Sequence, residues 1–275
     1  MLRWKAHKLG FAMLKLERRQ SAMAAFMLLM AIFSLKPALT WAIVDVHDQY
    51  YAAPEAEVLS AWSFDFSGAS GNDARQDFAI ETHNLWRSEQ RTWMLIGRYA
   101  RADSGGSDTA DNRFLHARFV NGLTERSGIE VFLQTQQDRF QKLDRRHLIG
   151  AGYRFERQGD DESRLLFGLG GLAERERYVG LKTTESNYRA NLYMTAEIPV
   201  ALAVPTSFSL SGYLQPKFDD FGDLRSIAVA RFKTQLTDAL ALDITVAIDH
   251  DSNPISGVDA QNVRYSSGIT YTFQR

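Results

Sequence analysis

The 275-residue sequence contains no cysteine, only 6 prolines and almost no net charge, with 32 Lys and Arg set against 33 Asp and Glu. Without cysteine there is no disulfide framework, no lipid-acceptor Cys behind a leader, no thiolate metal site and no thiol nucleophile. A hydrophobic content of 45% and the scarcity of proline exclude a disordered or collagen-like chain. The charge balance is uneven along the chain. Residues 1–42 hold seven of the basic residues and one of the acidic ones, leaving 25 basic against 32 acidic, a net of −7. An acidic body argues against a nucleic-acid partner. Also missing after residue 42 is any apolar run approaching the roughly 20 residues that span a bilayer as a helix.

What is present begins with a targeting pattern. Arg3, Lys5, Lys8, Lys15, Arg18 and Arg19 form a long basic stretch, and an apolar run from Ala22 to Leu35 ends at Lys36-Pro37. Thr40-Trp41-Ala42 offers a small-x-small cleavage site before Ile43. An apolar core of about 14 residues suits a cleavable signal peptide; an uncleaved amphipathic anchor is the alternative. The expected organisation is a signal peptide over 1–42, a short periplasmic segment over 43–56 and a single body over 57–275.

That body alternates. Leu240, Leu242, Ile244, Val246 and Ile248 alternate with Ala241, Asp243, Thr245, Ala247 and Asp249; Tyr188, Ala190, Leu192, Met194 and Ile198 alternate with Arg189, Asn191, Tyr193, Thr195 and Glu197. Period-two alternation is the strand signal, because successive side chains point to opposite faces. About twelve such segments of roughly ten residues follow one another, long enough to cross a bilayer when tilted. The breaks between them are alternately long and short, about 62 residues in the odd-numbered ones against about 30 in the even-numbered ones, as in outer-membrane barrels. The expectation is an all-β, transmembrane, antiparallel up-and-down barrel of about 12 strands in the bacterial outer membrane. Its apolar face would meet lipid, its polar face would line the lumen, and both termini would be periplasmic. Trp86 and Trp93 flank the first short turn and face outward by parity, as an interfacial belt requires.

Particular stretches resemble a known family. EVFLQTQQDRF at 130–140 leads into Arg145-Arg146 and Gly150-Ala151-Gly152-Tyr153; Gly71-Asn72 precedes it and Asp251-Ser252-Asn253-Pro254 comes before the final Gly268, Tyr271 and Phe273. In this order they resemble domain of unknown function 481 (DUF481), the salt-induced outer-membrane proteins, over roughly residues 57–275. The resemblance implies an outer-membrane barrel and a part in envelope adaptation, but no settled activity. Gln274 and Arg275 follow Phe273 here, displacing the terminal aromatic residue through which such barrels engage their assembly machinery.

By parity the lumen receives Glu81, Arg98, Arg118, Glu130, Arg154, Arg189, Glu197, Arg231 and Asp243, a nearly balanced mixture. Two readings follow: a narrow, weakly selective, porin-like polar pore, or a structural barrel whose salt-bridged interior fills itself. The contrasting class is an enzyme. His250 and Ser252, with Asn253 beside them, resemble the His-x-Ser-Asn arrangement of outer-membrane phospholipase A, and would place a base and a nucleophile on the lipid side near the rim. The turn signal Asn253-Pro254 weighs against it. His83 and His116 face the lumen on non-adjacent strands, expected to be separated by Arg98, without a third ligand. The Asp groups at 103, 108 and 111, at 219, 220 and 223, and at 251 and 259 lack calcium-loop spacing and read as solvated loops. No metal or cofactor is expected. The expected partners are the lipid bilayer, lipopolysaccharide and the assembly machinery acting on the last strand, with the protein itself a monomer.

Overall fold

The computed structural model describes residues 57–69, 75–104, 107–139, 141–160, 162–181 and 183–274. The expected leader, the 43–56 segment and the Gly71-Asn72 turn lie outside them. Twelve strands follow in order: β1 (Val58–Ala69), β2 (Arg75–Ser88), β3 (Arg91–Ser104), β4 (Ser107–Thr124), β5 (Ser127–Asp138) and β6 (Leu143–Gln158), then β7 (Arg164–Tyr178), β8 (Thr184–Val200), β9 (Thr206–Pro216), β10 (Leu224–Gln235), β11 (Leu240–Asp251) and β12 (Gln261–Gln274). Each pairs antiparallel with its sequence neighbours, and β1 returns to β12 to close the barrel. Closure satisfies backbone donors and acceptors within the sheet, which hydrocarbon demands.

The outer surface is apolar, as a bilayer-embedded barrel requires. Leu133, Ile149, Leu169 and Ile269 are all exposed at mid-strand. Aromatic side chains gather at both ends. Toward the short-turn end Trp86 pairs with Trp93, whose ring lies 4.4 Å from Phe119, while Phe155 pairs with Phe167 and Phe208 with Phe232. Toward the long-loop end Phe66 pairs with Phe78, whose ring lies 6.5 Å from Tyr99. These are the two interfacial girdles of a membrane barrel.

Two features depart from the expected pattern. The strands run to between 11 and 18 residues, beyond the roughly ten that suffice to cross a bilayer. Residues assigned to outer loops are therefore hairpin stems: Asp103 belongs to β3, and Asp108 and Asp111 to β4. The connections shrink to 32 residues at the long-loop end against 18 at the other. In addition, β10 inverts its pattern. Its inward row includes buried Ile227 and Val229, while Ala228 and Ala230 lie on the outward row.

Glycines make room for aromatic rings inside. A Cβ at Gly150 would collide with the ring of Phe132, and one at Gly168 with the ring of Tyr193. Each ring thus lies flat over a neighbouring strand's backbone. At Gly171, by contrast, a Cβ would meet only ordinary contacts at 3.6 Å. Gly168→Ala should therefore lower barrel stability by about 1–3 kcal/mol through overpacking, and Gly171→Ala should not. Urea midpoints of the two variants in detergent micelles, followed by heat-modifiable gel mobility, check this difference.

Candidate functional site

The site is the barrel interior, built from the inward row of every strand. All nine charged residues expected there point inward, and they fall into zones of differing solvent access.

The long-loop end is closely packed by buried ion pairs. Arg189, the largest fully buried side chain, donates from Nε to Glu174 Oε1 at 2.7 Å, and its Nη2 lies 2.8 Å from Asp223 Oδ1. Arg225 donates to Glu174 Oε2 at 3.0 Å, to both Glu176 oxygens at 2.8 and 3.0 Å, and to Asp251 Oδ2 at 2.9 Å. Arg146 also binds Glu176, and the Tyr178 hydroxyl donates to Glu176 Oε2 at 3.1 Å. Three guanidinium groups thus share two buried carboxylates beneath the longest loops, with Asp223 and Asp251 completing the cluster. Of these residues only Arg189 belonged to the expected lumen set. The signal for the others was present, since Glu174, Glu176 and Tyr178 continue the inward parity of β7 past the length needed to cross a bilayer.

The middle is crossed. Arg118 donates to Glu130 Oε2 at 3.1 Å, and the Tyr193 hydroxyl, three strands away from Glu130, donates to its Oε1 at 2.9 Å. The Arg118 guanidinium stands 5.0 Å from the Phe132 ring and 5.7 Å from that of Tyr193, within cation–π range. Ile96, Phe114, Leu166, Tyr193, Tyr213, Ile227, Val229 and Ala247 form one buried apolar cluster drawn from seven strands. The polar lumen inferred from alternation therefore has an apolar component. Arg98 donates to Glu81 Oε2 at 3.3 Å, and Glu81 also binds His83. Ile96, not Arg98, stands in register between His83 and His116. His116 is held by Gln134 and Arg118, and no group of three metal-ligating side chains occurs among the described residues.

The short-turn end is more open. Glu156, Glu197, Arg231, Lys233 and Asp243 remain partly exposed although they face inward. Arg231 donates to Thr245 at 3.1 Å, Thr270 donates to Asp243 at 2.5 Å, and Arg154, itself buried, reaches Glu156 at 3.4 Å. Arg154 and Glu156 also line a cavity of about 360 Å³ against the first two short turns.

His250 and Ser252 are not brought together. His250 lies at the edge of an apolar groove of about 650 Å³ on the lipid-facing wall, with Phe155, Phe167, Met194 and Leu214. β11 ends at Asp251. Beyond it, the Ser252 hydroxyl donates to the Gly222 carbonyl at 2.6 Å and accepts from the Leu224 N–H at 2.7 Å. The Asn253 N–H turns back to Asp251 Oδ1 at 3.0 Å. Ser252 thus ties two loops together with the hydroxyl that a nucleophile would need.

Residues 63–273 match a protein family described as protein of unknown function, DUF481. The chain belongs to that family. No curated protein matches it. Among solved structures it is similar to the NanC porin in a rhombohedral crystal form, with a TM-score of 0.50 and 10% identity over 78% of this chain and 98% of that one. It is similar also to the COG4313 outer membrane channel from Pseudomonas putida F1, with a TM-score of 0.48 and 13% identity over 84% and 100% of the two chains. A third likeness is to the KdgM porin in complex with disordered oligogalacturonate, with a TM-score of 0.44 and 9% identity over 79% and 99%. At such identities the likeness is one of fold. This DUF481 chain is a closed, twelve-stranded transmembrane barrel.

Removing one partner from the buried cluster leaves the other charges buried and uncompensated. Arg225→Ala should cost about 3–5 kcal/mol. Arg175→Ala, on the exposed outward row of β7 between Glu174 and Glu176, should stay within about 0.5 kcal/mol. The same urea titration distinguishes them.

Proposed function

We propose that this chain is an outer-membrane barrel of the bacterial envelope that forms a narrow, weakly selective conduit, with its termini and short turns facing the periplasm. The observation that carries this reading is the gradient of exposure along the inner wall. Glu197, Arg231, Lys233 and Asp243 keep solvent access at the short-turn end, whereas Arg146, Glu174, Glu176, Arg189 and Arg225 are buried at the other. A periplasmic vestibule would lead to a constriction formed by Arg118, Glu130 and Tyr193. Selectivity is weak because both signs of charge line each level, and a ring of one sign is what discriminates ions. The surrounding bilayer and lipopolysaccharide meet the apolar wall. The outward residues Tyr271 and Phe273 of the last strand remain available to the assembly machinery. The engaged hydroxyl of Ser252 favours this reading over a phospholipase-like hydrolysis at the rim.

Single-channel recording of the folded barrel in a planar bilayer tests it. Wild type should show small discrete openings with a cation-to-anion permeability ratio within about threefold. Tyr193→Ala removes the side chain that reaches Glu130 and should raise conductance about twofold or more. Arg118→Ala should change both step size and selectivity, and Arg189→Ala should loosen the closely packed long-loop end. Silence from wild type and all three variants would overturn the conduit.

A further inference from the structure

The seam that closes the barrel is incomplete. β1 and β12 pair over residues 59–64 and 269–274, six residue pairs, where every other neighbouring pair of strands matches over nine to fifteen. Both strands continue toward the long-loop end. β1 remains paired with β2 through Ala69, and β12 with β11 through Gln261. Residues 65–67 and 266–268 thus keep strand form while, among the described residues, no ladder joins them across the seam.

The side chains mark where the ladder stops. The Asp65 carboxylate occupies the space that a Cβ at position 268 would take. One step further, Ser266 is exposed although it belongs to the inward row. Of its neighbours on the inward row, Arg264 is only 3% exposed and Gly268 partly so, and its partner Thr245 on β11 is buried. The exposure of Ser266 coincides with the end of the β1–β12 ladder. Outside, the gap is flanked by exposed Phe64, Phe66 and Val263; inside, it is lined by Asp65, Ser266 and Gly268. Apolar flanks outside and a polar floor inside form an amphipathic cross-section. Unpaired backbone groups at membrane depth are tolerated only where they face protein or a polar, water-holding cavity.

We propose that the upper seam is a lateral portal between the lumen and the outer leaflet for a lipid-like amphiphile. The polar head passes along Asp65 and Ser266 while the acyl tail stays against Phe64, Phe66 and Val263. The proposal rests on the conduit reading: the amphiphile leaves through the seam, while small ions pass the closely packed long-loop end.

The absence of native cysteine makes a direct test available. Trp62 and Tyr271 are partners in the closed part of the seam; Phe66 and Ser267 would be partners if the same register continued. In the full-length folded barrel, Trp62→Cys with Tyr271→Cys should oxidise to a disulfide. Phe66→Cys with Ser267→Cys should not, and should be bridged only by a long bismaleimide. Disulfide formation in both pairs to the same extent would show a closed seam and overturn the portal. In proteoliposomes, a fluorescent lysophospholipid should cross between leaflets, as read by dithionite quenching. The bismaleimide staple should slow this crossing about fivefold while small-ion conductance stays within about twofold. Crossing unaffected by the staple would overturn the portal alone; absent conductance with staple-sensitive crossing would overturn the ion-conduit reading alone. An SDS-stable dimer trapped through Ser267→Cys by itself would assign the free edge of β12 to strand addition by a second copy, against the amphiphile.

Discussion

Every backbone N–H and C=O within a bilayer needs a partner, and a β-sheet can supply one to all of them only by meeting its own first strand. The rest of this structure depends on that return of β12 to β1. Closure turns the sheet inside out relative to a water-soluble protein: apolar residues face outward, and the interior must accommodate whatever the alternate positions carry. Yet the closing seam holds the fewest residue pairs of any strand interface in the barrel. Ser63 and Thr270 add a side-chain hydrogen bond of 3.0 Å across its closed part, two residues before Asp65. The interaction that defines the fold is thus also the place where the wall yields.

Twelve strands enclose more space than eight, a number at which side chains alone fill a barrel. Here the extra space is taken up by two devices. Aromatic rings lie over glycines, as Phe132 does over Gly150 and Tyr193 over Gly168, so that bulky groups line the wall without straining it. Elsewhere long cationic side chains reach inward and are neutralised there. Burying a guanidinium is tolerable when several acceptors surround it; Arg189 has Glu174, Asp223 and two backbone carbonyls, and Arg225 has three carboxylates. Such a cluster gains more in defining which strands meet than in net stability, because desolvation cancels much of the attraction.

Strand number, pairing partners and the inward direction of all nine lumen charges were legible in the alternation, because parity survives any error in strand ends. Strand length was not. A bilayer sets a minimum of about ten residues, and nothing in that limit stops a hairpin from continuing into water. For this reason Arg146, Glu174 and Glu176 were placed in or beside loops, and the cluster they form went unseen. Register was illegible too. Whether Ile96 or Arg98 separates His83 from His116 depends on where the turn at 89–90 fixes the hairpin, one pair of residues either way. The inverted β10 followed neither rule, since Ile227 and Val229 find apolar company across the lumen with Ile96 and Phe114. At His250 and Ser252 a short motif suggested chemistry, but the turn beginning at Asp251 committed the hydroxyl to the loop above.

The zoning of charge follows one electrostatic argument. Where opposite charges stand within hydrogen-bond distance, as Arg118 and Glu130 do at 3.1 Å, they cancel locally and project little field into whatever passes. A barrel that neutralises its charges in pairs is therefore polar without being selective. Only at the short-turn end do Glu197, Lys233 and Asp243 face solvent, and there the signs alternate from strand to strand. An ion entering at that mouth meets attraction and repulsion at similar depth, so its sign matters less than its size. What the interior does impose is a direction. Solvent access is greater at the short-turn end than beneath the long loops, and the shortest ladder of the wall lies between β1 and β12. A solute too polar for lipid would be held inside this arrangement, whereas one carrying an apolar tail would find lateral escape favourable, because the tail leaves a mixed interior for hydrocarbon.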